Sequence, residues 1–222
     1  MASSSQSILG IDTATAAAAV AVSRGTELLD ERRSGPGEGG RPEHARVLLA
    51  EVEAAVQSAG GWPEIGLIGI ATARALAQAR DLPLAPVSSL AALARGIDAG
   101  PGRGRLAAID ARRGELFAGL YDDGHAPVWE PFVAAPDAIT ERVAQLPRPA
   151  LAAGDGSLRF REQLEAAGVE VLPAADPAHL MAARHVSALA TEVEPVRPEH
   201  VKPIYLRRPD AEVWRERRER DP

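Results

Sequence analysis

The chain contains no cysteine, which excludes a disulfide framework, a thiolate nucleophile and any cysteine-ligated zinc or iron–sulfur centre. Lysine is nearly absent: Lys202 is the only one, so a phosphate cradle of the Gly-Lys-Ser/Thr type has no residue to build it. No Gly-x-Ser-x-Gly nucleophile elbow occurs. Residues 1–7 are polar, no charged stretch precedes a signal-type apolar segment, and the apolar run from Ile8 is too short to span a bilayer. The expectation is a soluble cytoplasmic protein. A formal net charge of −6 speaks against a nucleic-acid binder that works alone, because such affinity comes mainly from Lys and Arg neutralising phosphates.

Histidine does not supply a metal site either. Two ligands on one helix must lie about one turn apart to face the same ion. His179 and His185 fall on a stretch read as one long helix from Asp176-Pro177 to about Val193, six residues apart, and so project about 240° from each other. His44 is alone on its helix, and His125 and His200 lie in turns or coil. The expectation is therefore no catalytic metal and no cofactor.

What the chain does have is one pattern written twice. Ile8-Leu9-Gly10-Ile11-Asp12-Thr13 leads through a small-residue turn into Ala17–Val22, and Leu106-Ala107-Ala108-Ile109-Asp110-Ala111 leads through Arg112-Arg113-Gly114-Glu115 into Leu116–Tyr121. Each half opens with a β-hairpin whose first strand ends in Asp. This arrangement resembles the way actin-like ATPases present a carboxylate and backbone N–H groups to phosphate, and its doubling implies an α/β, actin-like (ASKHA) fold of two lobes, each a mixed sheet with helices. Asp12, Thr13, Asp110 and the Gly154-Asp155-Gly156 turn are the candidates for ligand contact. For Asp12 and Asp110 the competing reading is a strand-terminal Asp that satisfies its own turn amides.

Along the chain, strands at about 7–13, 16–23 and 26–33 precede a glycine-rich loop at Ser34–Gly40. A helix runs from Pro42 to the Gly60-Gly61 stop, with Ala45, Leu48, Leu49, Val52, Ala55, Val56 and Ala59 at helical spacing. Val47, Ala50 and Ala54 lie off that stripe, giving an apolar surface wider than one neighbour requires. A sheet on one side and a partner protein on the other would account for it. Ile65–Ile70 reads as a strand turning into a helix near Ala71 that reaches Arg80. A strand at 82–87, a helix capped by Ser88 or Ser89 and the glycine-rich Asp98–Gly104 follow, which divides the chain into lobes 1–98 and 99–222. The second lobe continues with a strand near 128–133, a helix after Pro136, a strand near 150–153, a helix from Ser157 to Gly168 and a strand at 169–172. Arg207, Arg208, Arg215, Arg217, Arg218 and Arg220 are interleaved with acids in a terminal stretch that reads as a solvated helix, with a contribution to RNA docking as the alternative.

The Ile8–Thr13 run, the helix opening Pro42-Glu43-His44-Ala45, Gly69–Ala77, Ser88–Ala94, Ile109-Asp110-Ala111-Arg112-Arg113-Gly114-Glu115 and Pro203–Arg207 together resemble the TsaB (YeaZ) family, in order over nearly the whole chain. The resemblance implies noncatalytic relatives of the TsaD transferase that act in making N6-threonylcarbamoyladenosine in tRNA, hold TsaD in its active form and help recruit the TsaE ATPase; for the chain alone, a homodimer and a monomer are both open. It also places the partner surface on the first two helices, here Val47, Leu48, Val52, Ala55, Val56, Ala73, Leu76, Ala77 and Arg80. Family members carry a strand and a Gly-Pro-Gly-Ser-Phe-Thr-Gly-Leu-Arg-like loop before the second helix, and this chain does not. Loss of a central strand would unpair a row of buried backbone groups, so Ile65–Ile70 is expected to rebuild it. The alternatives are a metallopeptidase-like (glycoprotease) protein or a small ATPase of the actin-like superfamily.

Overall fold

The computed structural model describes residues 6–35, 37–38, 42–70, 74–147, 149–201 and 206–207. In the first sheet β1 (Ser7–Asp12), β2 (Ala18–Arg24) and β3 (Glu27–Ser34) form an antiparallel meander, and β4 (Ile65–Ile70) and β5 (Leu84–Pro86) add in parallel, giving the order β3-β2-β1-β4-β5. The segment Ile65–Ile70 is thus the central strand that the shortened sequence had to rebuild, paired with β1 on one side and β5 on the other. Its side chains are buried on both faces: Leu67 joins the interior core, while Ile68 and Ile70 pack beneath α1 (His44–Ser58). A near-continuous apolar run is what a covered parallel strand requires.

The second sheet repeats the first. Strands β6 (Arg105–Arg112), β7 (Glu115–Tyr121) and β8 (Pro127–Ala134) are the meander, β9 (Leu151–Ala153) and β10 (Glu170–Val171) the parallel additions, in the order β8-β7-β6-β9-β10. Helix α4 (Pro136–Val143) corresponds in connectivity to α1, and α5 (Asp155–Arg159) with α6 (Arg161–Ala166) to α2 (Arg74–Arg80). Two mixed sheets with helices, related by duplication, make the actin-like fold.

Each half ends in a helix that packs on the other half's sheet. Helix α3 (Ser89–Arg95) lies on β6 and β7, whereas α7 (Ala183–Ala190) lies on β1, β2 and β4, and the two helices touch. Ile8, Ala21 and Leu67 from the first sheet, Leu90 and Leu93 from α3, Ala107 and Ile109 from the second sheet and Val186 from α7 form one apolar core. A division at 98/99 separates the sheets in sequence, but the packing crosses it in both directions. The glycine-rich connection is also fastened: buried Arg105 donates from Nε to Ile97 O at 3.0 Å and from Nη1 to Asp122 O at 3.1 Å.

Three local expectations are corrected. Pro42 precedes α1 rather than entering it; the helix ends as read, with Gly60 N donating to Gln57 O and Gly61 N to Val56 O at positive φ. The stretch after Asp176 is not one long helix. Asp176 caps a single 3-10 turn at Pro177–His179, Leu180 and Ala182 are extended, and only Ala183–Ala190 is helical. His179 explains the break, because its buried ring accepts from Gly154 N at 3.1 Å and faces Leu172 O at 3.0 Å, tying the turn to the second lobe while α7 departs for the first. The Gly154-Asp155-Gly156 turn does not open toward a ligand, since both glycines are buried against the β6 backbone.

Candidate partner-binding face and the strand-end carboxylates

Helix α1 has one face spent on the core. Val52, Ala55, Val56 and Ala59 are buried over β1, β2 and β4, and Ala77 of α2 is buried with them. Val52, Ala55, Val56 and Ala77 are therefore structural residues of this chain rather than residues open to a partner, because their spacing matched the sheet-facing stripe. Leu48 and Leu76 sit at the margin, half-buried against the same core. Val47 is half-buried and Arg80 exposed, and Ala73 lies outside the described residues.

The residue that stands out is Leu49, 67% exposed in the middle of an otherwise well-packed helix. It lies about 60° around the helix from Val52, just past the edge of the buried stripe. Its neighbours on the outer side, one turn away along the helix, are the exposed Arg46 and Glu53, whereas the exposed Ala50 and the half-buried Val47 and Ala54 form a separate apolar strip about 100–160° further round. Next to Leu49, Glu53 belongs to a polar and aromatic group that joins the end of α1 to α2: Trp62 Nε1 donates to Glu53 Oε2 at 3.0 Å, Gln57 Nε2 donates to Glu53 Oε1 at 2.9 Å, and the Arg80 guanidinium lies 4.0 Å from the Trp62 ring centroid. The hydrogen bonds from Gln57 and Trp62, followed by the charge of Arg80, hold the Glu53 carboxyl below its ordinary value. Periodicity does not single out Leu49, because one leucine at the stripe's edge satisfies the helical pattern whether it points in or out; Trp62 and Glu53 carry no motif at all.

The two strand-end carboxylates are used within the chain in parallel ways. Asp12 Oδ1 accepts from Ala14 N at 2.8 Å, and Asp110 Oδ1 accepts from Arg112 N at 2.8 Å. The other oxygen of Asp12 accepts from Ser89 Oγ at 2.5 Å, and that of Asp110 from Arg159 Nη1 at 2.7 Å. Burial raises Asp12 above the ordinary carboxylate value against the opposing hydrogen bonds from Ser89 and Ala14. Thr13 follows Asp12 and is half-buried. The duplicated turns do not bring Asp12 and Asp110 onto a common group among the described residues, nor do three or more His, Cys, Asp or Glu gather as a metal-holding cluster there.

Over 171 residues the chain is 30% identical to the tRNA threonylcarbamoyladenosine biosynthesis protein TsaB of Escherichia coli (strain K12), covering 72% of each. The chain belongs to the TsaB (YeaZ) family. The uncharacterized protein Rv3421c of Mycobacterium tuberculosis is 32% identical over 217 residues, 92% of this chain and 93% of its own. YeaZ from Pseudomonas aeruginosa superposes with a TM-score of 0.68 at 25% identity, covering 90% of this chain and 100% of that one. The family profile described as TsaD, tRNA N6-adenosine threonylcarbamoyltransferase, matches residues 66–161, a span from β4 to the first residue of α6. Among the described residues no helix is long and apolar enough to cross a membrane.

Proposed function

We propose that this chain is a noncatalytic, cytoplasmic scaffold subunit in tRNA N6-threonylcarbamoyladenosine modification. It binds a TsaD-type transferase through the outer face of α1 and α2, holds that transferase in its active form and helps recruit a TsaE-type ATPase. The observation that carries this reading is Leu49, 67% exposed on a helix whose core-facing side is already satisfied, with Val47, Ala50 and Ala54 as a second apolar strip on the back of the same helix. A leucine left in water on a helix that has no further use for it inside the chain gains from burial against a partner, and family membership supplies the kind of partner. The same face pairs two copies when the transferase is absent. Contact with tRNA is made through the assembled complex.

Asp12, Thr13 and Asp110 fit this reading as remnants of phosphate-handling strand ends. The two carboxylates now accept hydrogen bonds that hold their own turns, one further fastened to α3 and the other to α5. The test is reconstitution. Mixed with the transferase at micromolar concentration, the chain should co-elute as a heterodimer by size-exclusion chromatography and restore tRNA modification by transferase and ATPase. An isolated chain that hydrolyses nucleotide or peptide bonds, or one that passes the transferase without binding, would overturn the proposal.

A further inference from the structure

The tip of the β6–β7 hairpin is built from arginine in a backbone conformation that suits arginine poorly. Arg112 and Glu115 are register partners, which leaves Arg113-Gly114 as a two-residue loop. Arg112, Arg113 and Gly114 have φ values of 63°, 55° and 79°. Two-residue loops with positive φ at both central positions ordinarily carry Asn-Gly or Asp-Gly, because a larger side chain crowds the following carbonyl. The strain extends one residue further here, since Ala111 is inserted between the Asp110–Leu116 and Arg112–Glu115 pairs as a bulge. Turn chemistry alone would select Asn at these positions, so the arginines answer to another requirement.

More guanidinium groups surround the tip. Arg159 of α5 reaches Asp110 Oδ2 at 2.7 Å, and Arg112 Nη1 lies 3.6 Å from the same oxygen, so one carboxylate stands between two cations. On the other face of the hairpin Arg207 pairs with Glu115 and lies 5.8 Å from the Phe117 ring centroid. Around Asp110 the acid is on the inside, although on the other face Glu115 is more exposed than Arg207, 38% against 28%. The Asp110 side chain is 9% exposed, whereas those of Arg112 and Arg159 are 63% and 47% exposed, so solvent meets N–H donors with the balancing charge beneath them. Asp155 is turned inward as well, accepting from Asp110 N at 2.9 Å. A guanidinium carries five donors in a fork matched to phosphate oxygens, more than one carboxylate can accept.

We infer that the Arg112-Arg113 tip, flanked by Arg159, is a contact site for the phosphate backbone of RNA. It rests on the tRNA reading above and adds to it a direct contact. Several guanidiniums displayed side by side suit a chain of successive phosphates, and the overall charge of −6 restricts the attraction to this end of the molecule.

The experiment titrates fluorescently labelled tRNA with the full chain at a series of salt concentrations. The variants are R112N/R113N, whose new residues tolerate the turn, and R159Q, which leaves the turn untouched. The double variant should weaken binding about tenfold or more and lower the slope of log K against log salt by about 1 to 2, because each phosphate that is no longer neutralised takes roughly 0.9 from the slope. R159Q should shift the same two quantities in the same direction. Melting temperature should stay level or rise in R112N/R113N, which distinguishes weaker RNA binding from impaired folding. An unchanged salt slope in the double variant would overturn the inference, as would variants that lose transferase binding while keeping tRNA binding, the result of a site for an acidic protein surface. Size-exclusion chromatography of the wild type with the transferase tests the scaffold reading independently, since that assembly can fail or succeed whatever the tRNA titration shows.

Discussion

Gly10 of β1 and Gly69 of β4 are register partners on adjacent parallel strands, and together they form the floor on which α7 rests. A Cβ at Gly10 would stand 2.5 Å from Ser187 Oγ and 2.6 Å from Ala183 O; one at Gly69 would stand 2.8 Å from the Ala190 Cβ. The Ala183 carbonyl is backbone and cannot swing aside. Gly10→Ala should therefore lift the helix and cost about 1–3 kcal/mol, read as a lower urea midpoint. An unaltered midpoint would mean that α7 does not sit this close.

Ile68 tests the rebuilt strand. It is fully buried beneath α1, so Ile68→Ala should cost about 2–5 kcal/mol, as cavity-forming truncations in well-packed cores do. A loss below about 1 kcal/mol in chemical denaturation would place Ile65–Ile70 somewhere other than the centre of the sheet.

Ser89 and Asp12 tie the start of α3 to the end of β1 within the first half. Ser89→Ala leaves a buried carboxyl short of one donor and should cost about 1–3 kcal/mol. Asp12 also sets a pH dependence. Its folded-state value is raised above the unfolded one, so its unfavourable contribution is complete once the pH exceeds the folded value. As the pH falls, the folded state takes up the proton first and the penalty disappears on reaching the ordinary range near about 4. Asp12→Asn should thus gain stability over the wild type at neutral pH and lose that advantage near the ordinary carboxylate range, measured as paired denaturation curves.

His185 works with the opposite result. Burial first, then the charge of Arg184, holds its imidazole down to about 4, with Glu31 opposing. The unfolded chain takes up this proton at about 6.5 and the native one only near the lower value, so stability drains away as the pH falls through that interval. His185→Gln should flatten the decline between about pH 7 and about pH 5; equal declines in variant and wild type would assign the proton uptake to other groups.

Leu49 separates docking from folding. Leu49→Glu should change stability by no more than about 0.5 kcal/mol, as surface substitutions do, while weakening transferase binding more than about tenfold, the scale of a contact residue near an interface centre. Val52→Glu should unfold the chain, because it buries a charge without a partner. A Leu49→Glu variant that still assembles normally would move the interface off this helix.

Much of this architecture is legible in the residues. The doubled Asp-ended hairpin implies two related sheets, and the cost of leaving a central strand out points to Ile65–Ile70 as its replacement. Local pattern could not reveal that the last helix of each half crosses over. Ser88 capping α3 reads the same whichever sheet the helix covers, and the alanines of α7 suit either neighbour. The supposed long helix after Asp176 failed for a related reason: a cap and a first-turn proline promise a start, and the extended Leu180–Ala182 segment is imposed by His179 binding backbone atoms far away in sequence. The apolar stripe of α1 was only half legible. Spacing located the helix but counted core residues among those offered to a partner, because the same apolar stripe serves a sheet or a partner and only burial tells them apart.

Because α7 supplies the cover for β1, β2 and β4, the first sheet to leave the ribosome is the last to be finished. The whole second sheet must be synthesised before residues 183–190 can close over Gly10 and Gly69. Until then one apolar surface of the nascent N-terminal half faces water, and its only escape from aggregation is a chaperone or speed. Truncations that stop before Ala183 should for this reason yield an insoluble product rather than an isolated, folded first half.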